Sequence, residues 1–250
     1  MGRQMHSMTV KLPPAYRAII EHLIAKLPIV LGKNLYSFVL YGSAVRGDII
    51  SGVSDINILL ILNESTPEAH VAIAECMRRE SKIDPFIITR RGMERSIESF
   101  ALKFRSIKRD YHVLFGEDPF KELDIKSDTL RFLCEQALRN LRLRTVRAYV
   151  LFGDDGAQYL KFLHNVDAKL FIDLSEALRL QGTEIPHEFS DRIAILADGF
   201  NVDGSILKDM LTLKSRKTRL SKGEIYNFHS RLFRLLDQAV HWMETQWPTL

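Results

Sequence analysis

The chain is poor in cysteine. Cys76 and Cys134 are the only two among 250 residues, and a pair so far apart in helical patterns excludes a disulfide-stapled scaffold. Both are expected to be buried, reduced thiols of a cytoplasmic protein. Long apolar runs are missing as well. Residues 58–62 make an apolar run of strand length, far short of the ~18 residues that a membrane span requires. The N-terminus lacks the apolar stretch of a secretory leader, so a soluble protein with no membrane partner is expected. Charge of one sign is not in excess: 35 Lys and Arg face 31 Asp and Glu, for a net charge of +4. Residues 1–120 carry 16 basic against 13 acidic side chains and the remainder 19 against 18, so neither half is basic enough to predict nucleic-acid binding from charge alone. Repeats and low-complexity tracts are absent. With 13 Gly, 8 Pro and 46% hydrophobic residues, the composition is that of a globular protein, long enough to bury a core without metal or disulfide staples.

The chain has two textures. In residues 1–120, Pro13-Pro14 opens an amphipathic helix through Ile20, Leu23 and Leu27 that ends at Leu31-Gly32. A strand is predicted over 35–41, stopped by Gly42-Ser43, then a loop to Ser54. The run 55–62 reads as a strand buried on both faces. Ser65-Thr66-Pro67-Glu68 starts a helix expected to reach about Ser81. Strands follow over 83–89 and 111–115, with a helix over 91–109 between them. In residues 121–250 strand signals give way to helical periodicity: Leu130, Leu133, Ala137, Leu138 and Leu141; Leu160, Leu163, Leu170, Leu174 and Ala177; Phe228, Leu232, Leu235, Ala239 and Trp242. A short helix is expected at 204–212. The reading is an α+β domain over 1–120 and an all-α bundle of four or five helices over 121–250.

One stretch carries chemistry: Tyr41-Gly42-Ser43-Ala44-Val45-Arg46-Gly47-Asp48, then Ser54-Asp55-Ile56-Asn57-Ile58. Gly-Ser where a strand gives way to a helix offers an approachable backbone, free N–H groups and a hydroxyl, which suits phosphate. Arg46 adds a charged fork for phosphate oxygens. Asp55 and Asn57 flank an apolar residue in a strand, and the period of two puts both on one face. Two oxygen ligands on one face suit Mg²⁺ or Mn²⁺ beside substrate phosphates. Asp84, the sole acid of the strand 83–89, supplies a third ligand. A partly buried carboxylate there is costly unless it is paired, with Lys82 or Arg90, or bound to metal. Asp48 is read as a loop residue.

This constellation resembles the nucleotidyltransferase superfamily that includes DNA polymerase beta, kanamycin nucleotidyltransferase and the minimal nucleotidyltransferases. Gly42-Ser43, Asp55-x-57 and Asp84 match its Gly-Ser, spaced acid–apolar–acid and third acid, over roughly residues 35–116. The helical half resembles the bundle that often follows this domain, a kind of domain that often dimerises, so a homodimer is among the expected partners. The resemblance implies Asp55, Asn57 and Asp84 as metal ligands, Asp55 and Asp84 as catalytic, and Gly42, Ser43 and Arg46 as nucleotide-binding. The departure is Asn57, which stands where the family has its second acid and removes one negative charge.

The function so implied is metal-dependent transfer of a nucleoside monophosphate from a nucleoside triphosphate to a hydroxyl of a small molecule, a protein or an RNA. Two other readings stand beside it. One is a fold that has lost its chemistry through Asn57 and acts as a nucleotide sensor or a protein or RNA scaffold. The other is an RNA-processing role in the helical half, where Arg234 and His241 lie seven apart, a spacing similar to the Arg/His pair of helical ribonucleases. The basic run from Lys214 to Arg219, with Lys222, is expected to be a solvated loop, and Arg139, Arg142 and Arg147 the polar flank of a bundle helix.

Overall fold

The computed structural model describes residues 5–6, 9–47, 49, 54–78, 80, 82–213, 215–216 and 218–247. Asp48, Ser81, Lys214 and Lys217 lie outside the described residues. The chain divides into two compact units, Met1–Ile125 and Lys126–Leu250, which are described in turn.

The first unit is built on a four-stranded sheet of β1 (Leu35–Tyr41), β2 (Ile56–Leu62), β3 (Ile83–Thr89) and β4 (Tyr111–Gly116) in the order β3-β2-β1-β4. β2 and β3 run parallel and the other pairs antiparallel. Helix α1 (Pro14–Leu31) turns Tyr16, Ile20, Leu23 and Leu27 onto Phe38 and Leu40 of β1 and onto Ile56, Ile58, Leu60 and Leu62 of β2. Helix α3 (Pro67–Met77) adds Ala69 and Ile73 to that core. It starts where Thr66 Oγ1 accepts the Ala69 N–H at 3.2 Å, a capping bond of the kind its sequence predicts. It ends at Met77, before the expected stop.

β2 is buried on both faces, with Ile56 and 58–62 inaccessible to solvent, as its unbroken apolar run requires. The expected helix over 91–109 is two helices, α4 (Arg90–Arg95) and α5 (Ala101–Arg109), parted by a turn. At the break the Gly92 carbonyl accepts both the Ser96 hydroxyl at 2.7 Å and the Ser96 N–H at 3.1 Å, which closes the last turn of α4. Helix α2 (Ser43–Arg46) is a single turn between β1 and the loop before β2.

The second unit contains α6 (Ser127–Phe152), α7 (Gly156–Arg179), α8 (Phe189–Gly199), α9 (Ser205–Leu213) and α10 (Lys222–Gln246). Its core repeats at helical spacing: Leu130, Cys134, Leu138, Leu141 and Ala148 on α6; Leu160, Leu163, Leu170 and Leu174 on α7; Leu232, Leu235, Ala239 and Met243 on α10. α8 carries no apolar stripe strong enough to be read from sequence, because Arg192 occupies its inner face between Phe189 and Leu196. That guanidinium is 2% exposed and donates to the carbonyls of Pro186 and His187 and to Ser175 Oγ. The chain crosses itself closely at Gly156, where a Cβ would overlap the Leu220 carbonyl oxygen. Ser221 and Glu224 close a capping box on α10, and Arg216 of the basic run donates to Glu224 at 2.7 Å.

No helix among the described residues is long and apolar enough to cross a membrane. Both cysteines are free thiols, Cys134 buried and Cys76 only partly so.

Candidate active site

The sheet brings the predicted residues to one end. β2 and β3 run in parallel register with Asn57 opposite Asp84, and β1 and β2 pair Asn57 with Tyr41. Residues level with one another on neighbouring strands point to the same face, so Asp84, Asn57 and Tyr41 form one row across three strands. Asp55 immediately precedes β2 and sits two residues from Asn57, which extends the row's acidic character into the preceding loop.

The β1–α2 turn closes on this row. Gly42 has φ +76°, a conformation that favours glycine. Its missing side chain also matters for space, since a Cβ there would lie 3.3 Å from Asn57 Nδ2. The Asn57 amide therefore rests against the Gly42 backbone. The Gly42 N–H itself is used, donating to the Asp110 carbonyl at 3.0 Å. The N–H groups of Ser43 and Ala44 occupy the first positions of α2, where a helix supplies no internal acceptor.

The carboxylates of Asp55 and Asp84 are exposed, and neither makes an ion pair or side-chain hydrogen bond among the described residues. The expectation of a partly buried Asp84 is thus corrected. It lies on an edge strand next to the exposed Pro85, and the row opens to solvent. Its charge is felt by the neighbouring phenol: burial first, and then Asp84, push the Tyr41 hydroxyl well above the usual tyrosine range. Tyr41 is a site residue the sequence reading quoted but did not assign. The missing signal was the register that sets it beside Asn57.

Arg46 is placed differently from the rest. It forms an ion pair with Asp110 at 3.7 Å, the two side chains 7 and 8% exposed. Asp110, the residue before β4, went unassigned in the sequence because nothing local connects it to the Gly42 turn. A buried pair of this kind anchors α2 against the start of β4.

As a metal site the row offers two carboxylates and one amide. Among the described residues no three His, Cys, Asp or Glu side chains gather in one place. Hard oxygen donors from Asp55, Asn57 and Asp84 fit a Mg²⁺ or Mn²⁺ ion that draws its remaining ligands from phosphate and water.

The other sequence candidates lie elsewhere. Arg90 pairs with Glu94 and stands over the Tyr36 ring. Arg139 bonds Glu135 and Glu244, and Arg142 bonds Asp237, tying α6 to α10. Arg234 lines one groove of the bundle with Asp203 and Arg231, whereas His241 lines another with Arg139 and Arg142.

No family model matches the chain, and no curated protein matches it in sequence. Among solved structures it is similar to spectinomycin adenyltransferase AAD(9) from Enterococcus faecialis, determined with ATP and spectinomycin. The two share 14% identity and a TM-score of 0.57, over 88% of this chain and 99% of that one. The shared feature is the fold, an α+β architecture of the nucleotidyltransferase type with a helical C-terminal region.

Proposed function

We propose that this protein transfers a nucleoside monophosphate from a nucleoside triphosphate to an acceptor hydroxyl, releasing pyrophosphate. The observation that carries the reading is the row Asp84–Asn57–Tyr41, level across three strands and closed by Gly42. The fold it shares with an adenyltransferase determined with ATP supports a nucleoside triphosphate as substrate.

In this reading the Gly42-Ser43 turn receives the phosphates. Asp55, Asn57 and Asp84 hold a Mg²⁺ or Mn²⁺ ion, whose part is to neutralise phosphate charge. Asp84 orients the acceptor hydroxyl and takes its proton, and Tyr41 lines the row beside it. Catalysis of this kind is mostly positioning and charge compensation. Arg46 supports the turn through Asp110 and acts on the phosphates at most indirectly. The reaction belongs in the cytoplasm, in keeping with two free thiols.

A second reading has a specific observation in its favour. The row has a neutral amide at Asn57, and the arginine nearest in sequence is engaged with Asp110. A site so short of charge suits a nucleotide sensor or scaffold that binds without turnover.

One experiment separates the two: Mg²⁺ and Mn²⁺ titration by calorimetry with a radiolabelled-nucleotide transfer assay, on wild type, Asn57→Asp and Asp55→Ala. An enzyme gains about tenfold or more in metal affinity with Asn57→Asp and gains transfer with it, because a second cation is better compensated. A sensor gains metal affinity alone. Asp55→Ala abolishes metal-dependent nucleotide binding in both cases and leaves the melting temperature in place, since that carboxylate makes no ion pair or side-chain hydrogen bond among the described residues. Transfer that survives Asp55→Ala overturns both readings.

A further inference from the structure

We propose that Phe86 and Phe100, with Lys103, form a nucleobase-stacking subsite beside Asp84, so that the acceptor is the end of a single-stranded oligonucleotide. The inference rests on the transferase reading of the same site and names its acceptor.

The placement follows from the strand. Asp84 and Phe86 lie two apart on β3 and share a face. Their register partners are Asn57 and Leu59. β3 is the outer strand of the sheet, so this face continues past Asp84 with no further strand beside it.

Three rings meet there, with centroids 6.1 Å apart in each pairing. Phe104, fully buried on α5, stacks under Phe86 and fixes it. Phe100 stands edge-on to both and is 45% exposed at the end of the turn between α4 and α5. Lys103 Nζ stands 4.2 Å over the Phe86 ring. A core ring is covered by apolar groups. Here an ammonium covers Phe86, which keeps that ring face beside solvent and marks it with positive charge.

The surrounding charge selects the ligand. Residues 90–109 hold seven Lys and Arg against two Glu, an excess of five that exceeds the net charge of the whole chain. Arg90 is engaged with Glu94, and Lys108 donates to the Leu123 carbonyl. Arg91, Arg95 and Lys103 are exposed and make no ion pair among the described residues. A half-exposed ring, Phe100, beside an ammonium that makes no ion pair among the described residues, Lys103, is what a single strand requires: a base stacks on the ring while a phosphate meets the cation. An acidic peptide would satisfy the cations but leave Phe100 uncovered, and a small cationic acceptor would be repelled.

The test uses the full chain with two probes, a fluorescein-labelled adenylate octanucleotide followed by anisotropy and a nonhydrolysable ATP analogue with Mg²⁺ followed by calorimetry. Phe100→Ala weakens octanucleotide binding about tenfold, as loss of one stacking platform does. Phe100→Trp restores it, Phe132→Ala on an exposed face of α6 leaves it unchanged, and binding falls steeply with added salt. The ATP analogue binds Phe100→Ala as it binds wild type. The proposal is overturned if wild type fails to bind the octanucleotide, if Phe100→Ala binds it like wild type, or if Phe132→Ala weakens it equally. It is also overturned if Phe100→Ala weakens the ATP analogue to the same extent, since the rings would then serve the donor nucleotide. If the ATP analogue fails to bind while the octanucleotide depends on Phe100, the transferase reading falls and the stacking subsite stands.

Discussion

The two units treat charge in opposite ways. At the end of the first unit's sheet, Asp55 and Asp84 stand exposed without a partner among the described residues, a few positions from an interior pair, Arg46–Asp110. In the helical unit, charges on neighbouring helices are matched. Arg139 and Arg142 reach from α6 to Glu244 and Asp237 on α10, Arg231 reaches Asp209, and Lys222 reaches Asp154. Exposed carboxylates without a partner among the described residues add little to folding, which leaves them available to the ligand proposed above. The matched pairs of the bundle are the ordinary surface of a helical domain, and their number says little about function.

Breaking the interior pair tests that contrast most strongly. Asp110→Ala removes one partner of the buried Arg46 and is expected to lower stability by about 1.5–3 kcal/mol. Asp84→Ala, on the opposite edge strand of the same sheet, is expected to change it by less than about 0.5 kcal/mol. Urea unfolding of the two variants decides the point. Equal losses would mean that the open row is structural after all.

His229 is a titrating weak point of the bundle. His229 stacks on Tyr149 with centroids 4.1 Å apart, its Nδ1 is buried without a hydrogen bond, and burial lowers its pKa below the usual histidine value. The folded state disfavours the charged ring. Stability is therefore full above the unfolded-state value near 6.5 and declines as the pH falls through it toward the lower folded value. Thermal melts between neutral and mildly acid pH should show this decline in wild type and a flatter profile in His229→Phe, which keeps the stack.

The smallest effect belongs to the surface pairs. Hydrogen bonds that Arg139 donates to Glu135 and Glu244 raise its pKa, yet its side chain is 43% exposed. Solvent screening then leaves the interaction worth about 0.5 kcal/mol. Arg139→Ala should shift the urea midpoint barely at all, and a shift as large as that of Asp110→Ala would erase the distinction between the units.

Much of this was legible in the sequence. Pro13-Pro14, the apolar run 58–62 and the Gly42-Ser43 stop placed α1, β1 and β2 to within a residue or two, because those signals act over a few positions of chain. The break at 96–100 was hidden, because helical periodicity runs on across a turn that only the backbone hydrogen bonds reveal. α8 was hidden because Arg192 interrupts its apolar face, and only the carbonyls it meets in the fold make an arginine tenable there.

The sequence alone determined that Gly42-Ser43 stops the first strand, that the apolar run 58–62 is a strand buried on both faces, and that one half is a sheet domain and the other helical. These follow from side-chain period and backbone sterics, which are properties of neighbouring residues. Only the tertiary structure decided that Asp84 stands level with Asn57, that Tyr41 completes the row, that Arg46 is held by Asp110, and that Phe100 meets Phe86 beside the site. Register between strands distant in the chain is set by packing of whole faces against α1, α3 and α5. No local pattern encodes it, since a slip of one residue would keep every local preference and turn each side chain to the other face.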